Sequence, residues 1–246
     1  MFEQKIQIST PSGVVTGLLF HPDGDGPWPG VIQLTDIGGI RPAQEDMARR
    51  LAAGGYCVLM PNVFFRSGQP PMFDEESRSN NELRMKRFRE LGEPLSADVE
   101  ERDASIYVDF LADQEAAAEG AFGVVGYCFT GSFALRTAAA RPEKIAAVAS
   151  FHGAGLYSDD PGSPHMVLPR VKARLYFGHA VEDRSMPSQS IQKFDQALAD
   201  WGGRYESVVY EGSHHGWTVP DSPVYNQPQA ERAYAKLTEL FAETLK

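Results

Sequence analysis

The sequence predicts an α/β fold: a mostly parallel central sheet with helices on both faces. Three observations predict it. Two short runs, 30–34 (GVIQL) and 56–60 (YCVLM), are almost wholly apolar, as in strands covered on both sides. From residue 122 onward, apolar runs alternate with helix-length stretches, the pattern of βαβ units. The length, 246 residues, suits one such domain, and no linker divides it, so 1–246 reads as a single domain.

Each element has its own local reason. Residues 5–9 and 14–20 read as two strands around Pro11-Ser12-Gly13, a hairpin. A second turn at 23–27 leads into the strand 30–34. A helix follows at 43–53, ended by Gly54-Gly55, and then the strand 56–60, stopped by Pro61. The segment 64–95 is the least regular, rich in Pro, Ser, Asn and acidic residues at first and helical in look over 81–90. Ser96 is a candidate N-cap, with Asp98 and Glu100 in the turn after it, and a long helix is expected over 97–118. Strands at 122–126, 145–151, 174–177 and 205–210 then alternate with helices at 129–140, 188–199 and 228–245.

Charge and cysteine content exclude several functions. Lys and Arg number 23 against 33 Asp and Glu, a formal net charge of −10. Nucleic acid and anionic membrane are therefore poor candidates for the main partner, because phosphate binding needs clustered cations. No apolar stretch approaches the ~18 residues of a membrane span. The start runs directly into strand-like sequence, so no signal peptide is expected. Two cysteines, Cys57 and Cys128, are too few for a disulfide framework. The expectation is a soluble cytoplasmic protein, monomer or homodimer, with free thiols and no cofactor.

The segment 122–135, FGVVGYCFTGSFAL, is an apolar strand, a tight turn and a helix. It resembles the nucleophile elbow of the α/β-hydrolase fold, with Cys128 in place of serine. Gly126 stands where a side chain would crowd the turn. Cys128 would sit at a helix N-terminus, whose partial positive charge favours a thiolate. The Phe129 N–H would be unpaired in the first helical turn and free to hold an oxyanion. The pattern asks for glycine two residues after the nucleophile; here Thr130 stands there and glycine comes one later, at Gly131. A buried structural thiol is the competing reading for Cys128. It is the preferred one for Cys57, inside a strand.

A thiol nucleophile needs a base, and the base needs an orienter. Downstream of Cys128, a strand leads into a loop with Glu182 and Asp183, and the next strand into a loop with His214 and His215. Acid and base thus lie past the C-terminal ends of strands, where crevices form in such sheets. Of the other histidines, His21 and His165 read as solvated and His179 as local. His152 either lines the pocket or is a satisfied structural histidine. Adjacent His214 and His215 lack further ligands at metal-binding spacing, so no metal is expected.

The whole chain then resembles the dienelactone hydrolase family, the cysteine branch of the α/β-hydrolases. The marks are Pro29-Gly30-Val31-Ile32 leading to Asp36-Ile37-Gly38-Gly39, Gly55-Tyr56 to Pro61-Asn62, Gly126-Tyr127-Cys128-Phe129, Asp183 before Met186-Pro187, and His215-Gly216-Trp217. The resemblance implies Cys128 as nucleophile, His215 as base and Asp183 as orienter, with Glu182 the alternative acid. It also implies a carboxylate near the thiol, usually Glu in the family and here Asp36, and a second oxyanion donor at the Ile37 N–H. Family members that act on the dienelactone anion hold its carboxylate with arginines. None follows His215 closely here; Arg84 is the match in the irregular segment, with Arg66, Arg78 and Arg87 as rivals. Phe64, Phe129 and Trp217 would give the pocket an apolar wall.

The expected chemistry is attack of Cys128 on a lactone or activated ester, an oxyanion held by Phe129 and Ile37, and hydrolysis of the thioester by water activated at His215. A catalytically idle scaffold with a binding role is the alternative; Thr130, Asp36 and the missing arginine speak for it.

Overall fold

A computed structural model, describing residues 1–246, contains eight strands. They are β1 (Phe2–Thr10), β2 (Gly13–His21), β3 (Gly30–Leu34), β4 (Cys57–Pro61), β5 (Phe122–Tyr127), β6 (Ile145–Phe151), β7 (Arg174–His179) and β8 (Tyr205–Val209). All lie in one sheet of order β1-β2-β4-β3-β5-β6-β7-β8. β1 and β2 pair antiparallel, as do β2 and β4; every pairing from β4 through β3 to β8 is parallel. The first hairpin is longer than alternation suggested, because pairing runs from Phe2 opposite His21 to Thr10 opposite Gly13.

Seven helices cover the sheet: α1 (Pro42–Ala53), α2 (Glu75–Ser79), α3 (Asn81–Gly92), α4 (Ala97–Ala112), α5 (Gly131–Ala140), α6 (Ser188–Trp201) and α7 (Gln227–Leu245). Two cores result. Ala48 and Leu51 of α1 and Leu237 and Leu240 of α7 pack with one sheet face around Val58, Val125 and Tyr176. Leu111 of α4, Phe133 of α5 and Phe194 of α6 pack with the other around Ile32, Val124 and Phe177. β3 and β5 are buried along their whole length, which explains their almost wholly apolar sequence.

Two elements differ from expectation. The long helix ends at Ala112, not 118. Beyond it the backbone turns extended, and Trp28 exchanges hydrogen bonds with Ala116 O at 2.8 Å and Ala118 N at 2.7 Å. That pairing gives the 116–118 amides a partner further helix would deny them. The irregular segment holds two helices, each with a side-chain cap: Asp74 accepts from Ser77 N, and Asn80 from Glu82 N and Leu83 N. It is fastened to α4 by Arg66, whose fork donates to both oxygens of Asp103 at 2.6 and 2.9 Å. Asp103 is fully buried. The segment is thereby held as one wall over the C-terminal edge of the sheet.

Candidate active site

Five loops that leave the C-terminal ends of β3, β5, β6, β7 and β8 bring Asp36, Cys128, His152, Asp183 and His215 together. They meet around β3 and β5, where strand order reverses and an open α/β sheet leaves a crevice. The crevice is a cleft of about 640 Å³ lined by Asp36, Cys128, His152 and His215 among others.

The turn after β5 carries Cys128 at φ +57°, a left-handed conformation that costs about 1–3 kcal/mol for a non-glycine residue and persists only when its surroundings hold it. Three neighbours hold it. A side chain at Gly126 would lie 2.3 Å from Thr130 O, so only glycine fits. Thr130 Oγ1 accepts from Tyr127 N at 3.1 Å and lies 3.1 Å from Leu34 O at the end of β3. Gly131, in the position the elbow pattern displaces, packs on β6: a Cβ there would lie 2.4 Å from Ser150 Oγ. The threonine therefore supplies hydrogen bonds where the usual glycine supplies only space.

His215 Nε2 lies 3.0 Å from Cys128 Sγ, and His215 Nδ1 lies 2.6 Å from Asp183 Oδ2. The other Asp183 oxygen accepts from Ser185 N at 2.8 Å and Ser185 Oγ at 2.6 Å. Burial alone would raise the Asp183 carboxyl, but hydrogen bonds from His215 and Ser185 pull it below its ordinary value. Burial likewise opposes charge on His215, yet hydrogen bonding to Asp183 and Cys128, with their charges, pushes it up to about 10. Glu182 and His214 are exposed, and neither enters this chain of contacts. Cys57 is wholly buried, and burial pushes its thiol up to about 12.

His152 also reaches the cleft. Its backbone is left-handed at φ +41°, its Nε2 meets Thr218 Oγ1 at 2.7 Å, and its ring stands edge-on to His215 at 5.2 Å. Burial first, and the neighbouring His215 second, lower its pKa well below the ordinary histidine value, so it stays neutral. Its Nδ1 is buried with no protein partner.

The two expected oxyanion donors are placed differently. Phe129 N–H lies in the first turn of the short helix that begins at Cys128. Ile37 N–H follows Asp36 in the loop after β3 and donates to no backbone acceptor.

Three expectations need correction. Asp36 does not hydrogen-bond Cys128. Its Oδ1 accepts from Arg41 Nη1 at 2.6 Å and Gly38 N at 2.9 Å, and its Oδ2 from Arg41 Nη2 at 2.8 Å. A bidentate guanidinium outcompetes a thiol for a carboxylate. Trp217 is fully buried and stacked on Tyr210 at 4.4 Å, so it belongs to the core. Phe64 is also buried and packs behind Phe129 at 5.8 Å, supporting the turn without lining the cleft. The apolar wall comes instead from Ile37, Phe73, Met85, Phe88 and Pro223.

Of the candidate arginines, Arg84 and Arg78 line the cleft. Arg84 donates to Asn81 at 2.7 Å and has no carboxylate partner. Arg66 is committed to Asp103, and Arg87 to the carbonyls of Met72 and Ser67. Arg41, Asp221 and Ser185 carry no motif and were not foreseen; only Asp-x-Ser at 183–185 hinted at the last.

A mostly parallel sheet with a strained residue at a strand-turn-helix elbow, and polar loops gathered at the C-terminal strand ends, defines an α/β-hydrolase. The profile of the dienelactone hydrolase family matches residues 15–245, and the chain belongs to that family of hydrolases. It is 29% identical over 228 residues to the carboxymethylenebutenolidase of Rhodococcus opacus, covering 87% of this chain and 81% of that one. Among solved structures, it superposes on a dienelactone hydrolase-like promiscuous phosphotriesterase from metagenomic libraries with a TM-score of 0.79 at 20% identity, over 100% and 99% of the two chains. A dienelactone hydrolase from Anabaena variabilis gives 0.70 at 21% identity, over the same shares. At that identity the structures speak for the fold alone. The family makes the chain an enzyme acting on small molecules. No helix is long and apolar enough to cross a membrane.

Proposed function

We propose that this hydrolase opens a lactone or activated carboxylic ester through a Cys128-His215-Asp183 triad and a thioester intermediate. The observation that carries the reading is the unbroken line from Sγ to Nε2 at 3.0 Å and from Nδ1 to the carboxylate at 2.6 Å. Cys128 sulfur attacks the acyl carbon, and the C–O bond to the leaving oxygen breaks. His215 delivers its proton to that oxygen, which stays tethered when the substrate is a lactone. Water then gives a proton to His215 and attacks the thioester, and the thiolate departs. Phe129 and Ile37 N–H groups hold the oxyanion, each worth about 3–4 kcal/mol. A thiolate leaves more readily than an amine, so esters and enol-lactones suit the site and amides do not.

The favoured substrate carries an anionic group. Arg78 and Arg84 line the cleft without a carboxylate partner, while Asp36 and Asp221 are both engaged by Arg41. The relative named for a carboxymethylene-substituted butenolide supports the same class.

The test is a panel of lactones and short-chain esters, read as kcat/KM, beside mass spectrometry of Cys128 after a chromogenic acetate ester. An acyl adduct on Cys128 and loss of turnover in Cys128→Ala and His215→Ala are expected. Unchanged turnover in Cys128→Ala overturns the nucleophile, and loss in His214→Ala with retention in His215→Ala reverses the base.

A further inference from the structure

Arg41 is the most heavily engaged side chain beside the reacting groups, and the triad does not use it. It lines the same cleft as Cys128 and His215. One edge of its guanidinium holds both oxygens of Asp36, at 2.6 and 2.8 Å, and Nη1 also reaches Gly39 O at 3.2 Å. The other edge holds both oxygens of Asp221: Nε donates at 2.7 Å and Nη2 at 2.9 Å. Burial opposes its charge, but hydrogen bonds to the two carboxylates raise its pKa further above the ordinary arginine value.

The two carboxylates sit on the two loops that flank the thiol. Asp36 opens the turn after β3, closed by Gly39 N donating to Asp36 O at 3.0 Å and by Gly38 N donating to Asp36 Oδ1. Gly39 is left-handed at φ +70°, which tightens the turn. Ile37 lies inside it, and its N–H has no partner. The Asp36 carboxylate, the Gly38 and Gly39 N–H groups and the Gly39 carbonyl are all tied within the turn or to Arg41. Asp221 ends the turns that follow His215, where Trp217 N donates to His214 O at 3.0 Å and Ser222 N to Val219 O at 2.9 Å. No other side chain spans these two loops by hydrogen bonds.

We propose that Arg41 is a positioning residue: it clamps the Asp36 turn to the Asp221 loop and so fixes the Ile37 N–H relative to the Cys128–His215 pair. The assignment rests on the triad reading above. Asp36 thereby becomes a strut, and the thiol is served by His215 alone. Only an arginine fits the task, because two carboxylates on opposite edges need a planar fork; a lysine ammonium can satisfy one at a time.

The test uses a neutral acetate ester, which offers no anion for Arg41 to bind. In Arg41→Met, kcat falls about 100-fold, as expected for one mispositioned oxyanion donor, while KM changes less than about threefold. Arg41→Lys recovers less than about a third of the loss on the logarithmic scale, since the fork is missing. Asp221→Asn, which keeps the fold and opens one edge of the clamp, loses kcat by about 3–10-fold with KM unchanged. The rate of Cys128 alkylation by iodoacetamide at neutral pH stays within about threefold of the parent in all three, because the Cys128–His215 contact survives. A kcat within threefold of the parent in both Arg41→Met and Asp221→Asn overturns the proposal. So does a loss confined to KM, which makes Arg41 a substrate-binding group, or alkylation that accelerates several-fold, which means the clamp had shielded the thiol directly. Turnover surviving in Cys128→Ala would instead sink the triad reading, a separate result.

Discussion

Replacing Thr130 by valine removes one oxygen from the elbow and keeps its shape. The residue is wholly buried, and its Oγ1 accepts from Tyr127 N and lies 3.1 Å from both Leu34 O and Tyr127 O. Valine loses the bond that fixes the turn and the bond that ties it to β3. Each is worth about 1 kcal/mol, and a buried N–H left without a partner adds about 1–3 kcal/mol. The expected destabilisation is about 3–5 kcal/mol. For a chain of this length that lowers Tm by roughly 6–20 °C. Thr130→Gly, which restores the residue usual at this place in the elbow, is expected to be worse than valine: it loses the same bonds, the methyl contacts, and about 0.5–1 kcal/mol to added backbone freedom. Urea denaturation at constant m-value measures both. kcat on an acetate ester should fall in step, because Leu34 leads directly to the Ile37 donor. If Thr130→Val loses less than 0.5 kcal/mol, or if glycine is the milder change, the account of this turn is wrong.

His179 is buried, and burial pushes its pKa down to about 4. The unfolded chain takes up a proton near pH 6.5 that the folded chain refuses until about 4, so stability is full above 6.5 and is lost as pH falls through that window, by on the order of 3 kcal/mol. Urea midpoints across pH 4–7 should flatten in His179→Asn; an unchanged slope refutes the assignment. His215, raised to about 10, acts with opposite sign: its contribution is full below about 6.5 and disappears as pH rises through 10. Arg66→Met strands the buried Asp103 carboxylate and should cost about 3–5 kcal/mol, with faster proteolysis of the 66–92 wall. Most of that loss should return in Arg66→Met/Asp103→Leu; if the double variant is no more stable than the single, the stranded charge is not the cause.

What the sequence determined by itself was local. The strand-turn-helix around Cys128 is written in Gly126, the apolar run before it and the small residues after it, because a tight turn excludes side chains within a few residues of itself. The order of nucleophile, acid and histidine placed all three past strand ends, since alternating strands and helices leave few other topologies. Buried β3 and β5 are legible because a strand covered on both faces is almost wholly apolar, the one polar side chain, Gln33, donating to Gln44 O inside the core.

What only the tertiary structure decided involves residues far apart in the chain. Arg41 meets Asp221 across 180 positions, and no pattern within either segment announces it. That meeting set the fate of Asp36, which the family resemblance alone assigns to the thiol. Trp217 and Phe64, expected as cleft walls, lie in the core instead, where a large ring removes the most apolar surface from water. The cleft received Phe73, Met85 and Phe88 from a segment whose sequence carries no strong periodicity. That segment is held by Met72 and Leu91, buried in the core, and by one buried pair, Arg66 with Asp103, that no local rule supplies. Local sterics fix which turn a short stretch can make, while the choice of which charged group satisfies which buried partner is settled only when the distant loops meet.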